Sequence, residues 1–297
     1  MTARERSPLT GRTFGLERVC RVFGRPRATV YRRRSAPAEE TTLPRKRGPK
    51  PKLSDELLLA LIRDDLQNSP FVGEGHRKVW ARLKFGQGIK TGRNRVLRIM
   101  RENRLLSPRR AQRSPNRHEG EIVTAAPNAM WGTDGTRILT HRDGWAWVFA
   151  AVDHFNSECV GRHVCKKGDR FAALEPVGQA AREHFGSVER DAARGVSLRM
   201  DHGSQYLSEH FQGQIKWWGL TPSFAFIEQP QTNGVVERFF RTLKEQIVYG
   251  RVYETVEELR KAVEEFVELY NREWRIERLG FLSPAEARKN YLTKRAA

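Results

Sequence analysis

Apolar positions spaced as in a helix mark two short segments near the start of the chain. Residues 16–23 keep one apolar helical face, Gly24 interrupts it, and a second, basic helix is predicted over residues 27–34. A helix, a glycine-containing turn and a basic helix form the helix-turn-helix pattern. We therefore predict a helix-turn-helix module over residues 1–34. An ordinary helical hairpin with a solvated basic face is the alternative.

A second helical module is predicted over residues 53–108. Ser54 is suited to cap a helix that begins at Asp55, and two further helices follow at about residues 75–83 and 92–102. This arrangement is typical of a second helix-turn-helix or winged-helix module. Both modules carry polar or basic side chains outside their apolar faces. We predict that these side chains bind DNA, namely Arg27, Thr29, Arg32 and Arg33 in the first module and Arg93, Arg95 and Arg98 in the second.

Two segments rich in proline and basic residues, 35–52 and 109–122, are predicted to be linkers because they contain few apolar residues. Within the first linker, the run 44–51 resembles a degenerate AT-hook, a motif that binds the minor groove of DNA. The run lacks the Arg-Gly-Arg-Pro centre of that motif, so a basic linker that touches phosphates is the favoured interpretation. Arg47 is the DNA contact expected there.

From residue 123 to residue 297 the pattern changes to strands interspersed with helices. Strands are predicted over 129–139, 145–152, 158–164, 196–201 and 221–227, and helices over 169–185, 208–218, 234–248 and 255–270. Residues 141–144 supply a hairpin turn between the first two strands, and Pro176 predicts a kink or a break in the first helix. This order fits an α/β fold with one mixed five-stranded sheet flanked by helices.

Charge is distributed unevenly between the helical part and the mixed part. The chain has 297 residues, enough for about two domains, and a formal net charge of +19. Residues 1–120 contain 30 Lys and Arg against 11 Asp and Glu, whereas residues 121–297 contain 24 of each. A uniformly basic ribosomal or packaging protein is therefore excluded. A basic first part joined to a neutral second part indicates a polyanionic partner such as nucleic acid.

Sequence features that direct a chain to a membrane or to secretion are not found. No stretch approaches the roughly 18 consecutive apolar residues of a transmembrane helix. The first 13 residues lack the apolar segment of a secretory signal. Cys20, Cys159 and Cys165 are too few for a disulfide scaffold. We therefore expect a protein of the reducing cytoplasm.

Three acidic residues of the mixed part occupy unusual positions. Asp134 lies inside the first predicted strand, where Asp is poorly suited. Asp201 ends the fourth strand, and α/β sheets bind ligands at the carboxyl ends of their strands. Glu237 lies in the first turn of a helix whose other face is apolar. Because the first and fourth strands can be neighbours, with that helix packed across them, all three carboxylates can meet at one edge of the sheet.

Three carboxylates without a nearby cysteine or histidine cluster suit a hard, oxygen-preferring cation such as Mg²⁺ or Mn²⁺. Two such ions can stabilise the attacking and leaving oxygens of a phosphoryl transfer. Each acid also has a structural explanation, since Asp201 can form a turn and Glu237 can complement the N-terminus of a helix. The pattern alone leaves both interpretations open.

The residues around these acids resemble the integrase core of bacterial insertion-sequence transposases, in particular the "IS-three" family related to retroviral integrases. The matching segments are Asp201-His202-Gly203-Ser204-Gln205-Tyr206, Asn233 to Lys244, and the C-terminal signature from Tyr270-Asn271 to Ser283-Pro284. Asp201 and Glu237 are separated by 35 residues, the spacing of that family, and Asp134 stands in a matching Trp-Gly-Thr-Asp context. The resemblance extends over about residues 55–290.

The resemblance implies an RNase H-like catalytic core and the activity of a DNA transposase. Such an enzyme binds the terminal inverted repeats of a mobile element, cleaves the DNA at its ends and transfers the freed strand to target DNA. The resemblance implies that Asp134, Asp201 and Glu237 are the catalytic residues and hold two Mg²⁺ or Mn²⁺ ions. It also implies a homodimer or larger assembly on double-stranded DNA, associated with the nucleoid.

Three further residues of the motif are expected to contact DNA. Lys244 matches the basic residue that the family places after its Glu, and it lies within about 20° of Glu237 around the helix. Arg241 lies about 40° away from Glu237. Both cations are expected to reach DNA phosphates near the acids, and Asn233 is expected to contact DNA as well. A solvated basic helix face is the alternative.

The chain departs from the family in two respects. Its C-terminal signature reads Trp274-Arg275-Ile276 where the family often has Arg-Pro-His. The family often places its first helix-turn-helix in an upstream reading frame, whereas this chain carries its own. It is therefore expected to be either a downstream-frame product or a complete single-frame enzyme. Two other functions remain as alternatives: a DNA-binding repressor of transposition with an inactive core, and a sequence-nonspecific nuclease.

Overall fold

The structure, a computed structural model, describes residues 3–35, 53–107, 122–225 and 233–296. The chain divides into two compact units, Met1–Lys52 and Leu53–Ala297. The predicted linkers lie almost entirely outside the described residues, and so does Arg47. Among the described helices, none is long and apolar enough to cross a membrane.

The first unit contains the two predicted helices, α1 (Leu16–Val22) and α2 (Arg27–Ser35). Gly24 lies between them with a φ of +60°, a left-handed conformation that glycine adopts without steric cost. At the start of α2, Arg27 lies 3.4 Å from the carboxylate of Glu17. The prediction of two helices joined at a glycine turn is confirmed.

Three helices form the beginning of the second unit. They are α3 (Asp55–Asn68), α4 (His76–Ala81), which continues as a π-helical turn (Arg82–Gly86), and α5 (Arg93–Glu102). The hydroxyl of Ser54 caps α3 by accepting a hydrogen bond of 3.2 Å from the backbone N–H three residues further on. The apolar faces of the three helices meet in a small core of Leu58, Ile62, Val79, Leu83, Val96, Ile99 and Met100.

This helical module packs directly against the C-terminal part of the chain. The rings of Phe71 and Trp274 meet edge to face with centroids 4.9 Å apart, and the ammonium of Lys78 lies over the same indole. Arg77 and Arg93 both pair with Glu277, at 2.5 and 3.2 Å. The sequence predicts this module and the mixed domain as separate domains. The structure shows that the two are held together by both apolar and charged contacts.

The mixed domain is built on the predicted five-stranded sheet. Its strands are β1 (Met130–Thr140), β2 (Gly144–Asp153), β3 (Cys159–Cys165), β4 (Ser197–Met200) and β5 (Thr221–Phe224). They are ordered β3-β2-β1-β4-β5. The first three strands are antiparallel, whereas β4 is parallel to β1 and β5 is parallel to β4. The predicted mixed sheet, with the first and fourth strands as neighbours, is confirmed.

Helices cover both faces of the sheet. One face carries α9 (Gly234–Leu243) and α10 (Val256–Glu273), and the other carries α6 (Arg170–Phe185) and α8 (Glu209–Trp217). Side chains of a strand alternate between its two faces. In β1 the even positions therefore face α9, as Ile138 does, and the odd positions face α6. This alternation decides which residues of β1 can meet the first turn of α9.

A kink or a break was expected at Pro176, and the structure shows that α6 continues through this residue without a break. A proline inside a helix removes one backbone hydrogen bond, but packing can hold the helix together. At this point α6 lies so close to β3 that a Cβ atom on Gly161 would lie 1.8 Å from the carbonyl oxygen of Pro176. The close contact between helix and sheet explains how an unbroken helix is maintained.

The remaining elements complete the mixed domain. A short helix α7 (Ser204–Leu207) precedes α8, a π-helical turn (Lys244–Val248) extends α9, and a 3₁₀ turn (Glu277–Leu279) follows α10. A last helix, α11 (Pro284–Ala296), was not predicted. It is anchored by Arg288, whose guanidinium pairs with the buried Asp153 at 3.1 Å and also with Glu158.

Candidate active site

Asp134 lies in the middle of β1 on the face covered by α9, and its side chain is partly buried. Its Oδ1 accepts a hydrogen bond of 2.7 Å from the backbone N–H of Gly135. Burial is the largest of the effects that raise the pKa of Asp134 to about 6, and the charges of Asp201 and Glu237 act in the same direction, against the lowering effects of the Gly135 N–H and of Lys244. The charges of Asp201 and Glu237 therefore both act on Asp134.

Asp201 is the first residue after β4 and is exposed. Its Oδ1 accepts a hydrogen bond of 2.9 Å from the backbone N–H of Gly203, which fixes the turn. The parallel register pairs Gly132 with Arg199. Two residues further along each strand direction, this register brings Asp134 and Asp201 to the same level and the same face of the sheet. The meeting of these two carboxylates thus follows from the sheet topology.

Glu237 comes from a different element, the first turn of α9, and is exposed. The opposite side of α9 is buried and packs on the sheet through Val236, Phe239, Phe240 and Leu243. This packing holds the first turn of the helix beside β1. Lys244 follows at the end of α9, partly buried, where its charge lowers the pKa of Asp134. Glu237 and Lys244 thus bring opposite charges to the same carboxylate.

Tyr206 is a neighbour of the acids, and the sequence predicted no role for it. Its side chain is fully buried. The pKa of its hydroxyl is raised well above the usual value, first by burial and then by the charges of Asp134 and Asp201. The hydroxyl therefore stays neutral beneath the two carboxylates. Tyr206 ends one of the segments that resemble the family, but the resemblance implied no role for it, and its position beside the acids is evident only from the fold.

The chemistry of these residues fits a divalent cation. Three carboxylates offer only oxygen atoms, which Mg²⁺ and Mn²⁺ prefer. Burial and the charges of Asp201 and Glu237 disfavour the ionised form of Asp134, and a bound cation would oppose both effects. Among the described residues, no three acidic, histidine or cysteine side chains are gathered closely enough to form a ready-made metal site. The donors are thus of the right kind and on converging elements, but they are not pre-assembled.

Family comparison reaches the same region of the chain. A model of the integrase core domain matches residues 124–230, which include Asp134 and Asp201, and a second integrase core model matches residues 237–292, which begin at Glu237. Together the two models cover more than half of the chain. A model of an HTH-like domain matches residues 53–113.

The chain belongs to the integrase-core transposases.

Individual transposases are similar over most of the chain. The transposase for insertion sequence element IS629 from Shigella sonnei is 28% identical over 230 residues, which cover 73% of this chain and 74% of that protein. Transposase InsD for insertion element IS2A/D/F/H/I/K from Escherichia coli is 28% identical over 233 residues, or 75% and 74%. These relatives do not favour the alternative of a repressor with an inactive core.

Solved integrase structures also align with the chain. The catalytic core domain of HTLV-2 integrase in complex with magnesium aligns with a TM-score of 0.42 and 16% identity, and the alignment covers 55% of this chain and 98% of that one. The catalytic core domain of BIV integrase aligns with a TM-score of 0.40 and 20% identity, over 57% and 99%.

The structure separates the expected DNA contacts of this transposase into two groups. Arg32, Arg33 and Arg241 are exposed. By contrast, Arg95 and Arg98 both hold the carboxylate of Asp55, at 2.6 and 2.5 Å, and together they lower its pKa. Arg93 pairs with Glu277 and Arg27 with Glu17, while Thr29 is partly buried. Several residues expected to bind DNA thus already have structural partners.

Asn233 differs most from its expected role. Its side chain is almost fully buried, and its Nδ2 donates a hydrogen bond of 3.1 Å to the backbone carbonyl of Thr133, the residue before Asp134. The amide therefore faces the sheet. The sequence motif contained the residue, but only the fold shows the direction of its side chain.

Proposed function

We propose that this chain is a transposase that cleaves the ends of its mobile element and joins them to target DNA with Asp134, Asp201 and Glu237 as catalytic residues. The proposal is supported by the parallel register of β1 and β4 and by the packing of α9 on the sheet, together with the effect of Asp201 and Glu237 on the pKa of Asp134. A buried carboxylate whose pKa is shifted by neighbouring acids is typical of a catalytic site.

In this proposal the three carboxylates hold two divalent ions, Mg²⁺ or Mn²⁺. When bound, the ions would stabilise the charge on the attacking and leaving oxygens of the phosphodiester. Asp134 must lose its proton to act as a ligand, and a bound cation would itself favour that loss. Lys244 and the exposed Arg241 would hold DNA phosphates beside the acids.

The helical parts would supply DNA recognition. Exposed arginines of α2, Arg32 and Arg33, are suited to phosphate or base contacts. The module of α3 to α5 is packed against the catalytic domain, so DNA bound to it would be held in a defined position relative to the acids. Two element ends must be brought together before joining, and we therefore propose a dimer or larger assembly on DNA.

A joining assay with purified protein tests this function. Duplexes made from the DNA on either side of the coding sequence would be incubated with Mn²⁺ or Mg²⁺ and a supercoiled target plasmid. Wild-type protein is expected to nick the duplex ends and form joined products, whereas Asp201→Asn should bind the ends normally and form neither. Glu264→Gln, which removes an exposed acid of α10, is the matched control and should remain active.

The outcomes separate the candidate functions. Metal-dependent joining by Asp201→Asn at the wild-type rate would refute the catalytic assignment. End binding without any nicked product from wild-type protein would instead favour a repressor. Nicking of unrelated duplexes at the same rate as the element ends would favour a nonspecific nuclease.

A further inference from the structure

Two buried polar side chains lie at the foot of α9 without a full set of partners. His154 is 5% exposed and Asn233 is 4% exposed. Among the residues that the structure describes, neither ring nitrogen of His154 has a hydrogen-bond partner, and neither has Oδ1 of Asn233. Leaving such groups unpaired in a protein interior is destabilising. Side chains retained at that cost are candidates for a specific role.

Gly132 shows that the two side chains face the same space. A Cβ atom added to this glycine would lie 2.7 Å from Oδ1 of Asn233 and 3.0 Å from Nε2 of His154. The missing side chain of Gly132 therefore leaves the room in which these two polar atoms approach each other. Gly132 is also on the face of β1 that carries Asp134, two residues earlier.

Both side chains are attached to the elements that bring the acids together. Nδ2 of Asn233 donates to the carbonyl of Thr133, and Glu237 follows four residues later in the first turn of α9. The backbone N–H of His154 donates to the carbonyl of Met130 at 3.0 Å, which fixes this residue beside β1. The contact through Asn233 thus joins the start of α9 to the strand of Asp134.

The surroundings keep His154 neutral. Burial is the largest of the effects that lower its pKa to about 4, and the charges of Arg199 and Arg278 act in the same direction. A neutral imidazole has one N–H donor and one acceptor nitrogen. With the proton on Nε2, the ring can donate toward Oδ1 of Asn233, directly or through one water molecule. Nη1 of the nearby Arg199 donates to Ser223 at 2.9 Å.

We propose that Asn233 and His154 are positioning residues that act as a latch across Gly132. The latch holds the first turn of α9 on β1 and so sets the separation between Glu237 and Asp134. This inference rests on the proposed function, since the separation matters because both acids are assigned to the same metal site. Like-charged carboxylates repel each other, and a neutral tether beside them opposes that repulsion without adding a charge that would compete with the metal.

Metal affinity is the property that distinguishes a latch from a DNA contact. Loosening a residue that orients metal ligands costs about 10–100-fold in metal affinity or activity. Asn233→Ala removes the bond to Thr133, His154→Leu removes both ring nitrogens, and Gly132→Ala forces a methyl group against the amide of Asn233. Gly213→Ala is the control, because a Cβ atom at that exposed position of α8 meets nothing within 4 Å.

The experiment measures Mn²⁺ binding by electron paramagnetic resonance, and in parallel the Mn²⁺ concentration that gives half-maximal joining. In Asn233→Ala and Gly132→Ala both quantities should weaken by about tenfold, and His154→Leu should shift them in the same direction. Binding of end DNA and the melting temperature should stay near wild type in Asn233→Ala. Joining should recover toward the wild-type rate at saturating Mn²⁺.

Three results would overturn the latch. Unchanged Mn²⁺ affinity in both Asn233→Ala and His154→Leu would exclude it. Weakened DNA binding at unchanged Mn²⁺ affinity in Asn233→Ala would assign that residue to DNA contact instead. Wild-type protein that neither binds Mn²⁺ nor joins DNA would refute the proposed function, and the latch with it. The first two results leave the proposed function intact.

Discussion

Two groups of acids in the second unit are treated in opposite ways by the fold. In the helical module, the buried carboxylates of Asp65 and Glu74 are both paired with Arg82, which donates to Asp65 at 2.7 and 2.9 Å. Lys78 also pairs with Glu74, at 3.5 Å. We call this group the paired cluster. The other group, Asp134, Asp201 and Glu237, has three acids within electrostatic reach and Lys244 as the cation that counteracts them at Asp134.

The difference between the two groups separates a structural role from a functional one. Buried charges that only hold a fold together are paired, because an unpaired buried charge is costly. A group that repels itself persists where a ligand supplies the missing charge. The number of acids is similar in the two groups, so their number alone does not indicate function. The charges that surround each group are the more informative feature.

The paired cluster should fail when its cation is removed. Arg82→Ala leaves Asp65 and Glu74 buried without their shared partner and should lower the free energy of unfolding by about 3–5 kcal/mol. Urea denaturation of the full chain measures this loss. Arg63→Ala, which removes an exposed arginine of the neighbouring α3, should change it by less than about 0.5 kcal/mol. A similar small loss for Arg82→Ala would mean that the cluster is not structural.

The same distinction applies, with a smaller effect, to the arginines expected to bind DNA. Exposed Arg32 and Arg33 can release counterions on binding, so replacing both by Ala should reduce the slope of log affinity against log salt by about 2. Arg95 and Arg98 already hold Asp55, so replacing both should mainly lower stability. Fluorescence anisotropy with end DNA at several salt concentrations measures the slopes. An equal loss of slope in both double variants would show that pairing with Asp55 does not prevent DNA contact.

Most of the sheet could be predicted because its residues alternate and its turns carry local signals. The turn at residues 141–144 and the period-two pattern on both sides define the first hairpin without tertiary information. Asp134 was noticed for a related reason, since an acid in a strand interior contradicts the local preference. The spacing of Asp201 and Glu237 then matched a known motif. The direct role of the three acids remains a prediction.

Features that depend on distant contacts could not be predicted. The pair of Arg77 with Glu277 joins positions 200 residues apart, and no local pattern encodes it. The inward direction of Asn233 depends on the position of the Thr133 carbonyl in the folded sheet. Likewise, the continuity of α6 through Pro176 depends on its packing against β3, which overrides the local preference for a break.

We propose that Asp134, buried and acted on by the charges of Asp201 and Glu237, belongs to a group that a divalent cation stabilises. The pKa of Asp134 is raised from 3.8 to about 6, so the folded chain holds the proton more tightly than the unfolded chain. Stability conferred by that proton is present at low pH and is lost as the pH rises from about 4 through 6. Above that range the ionised carboxylate costs the fold up to about 3 kcal/mol.

The most direct measurement compares the unfolding free energy of wild-type protein and Asp134→Asn, with and without MgCl₂, across this range of pH. Without Mg²⁺, Asp134→Asn should have the larger free energy of unfolding above a pH of about 6, and the difference from wild type should shrink toward pH 4. Added Mg²⁺ should stabilise the wild type and leave the variant almost unchanged. A variant that is less stable than wild type at neutral pH, or that is stabilised as much by Mg²⁺, would contradict the assignment of Asp134 to a divalent-cation site.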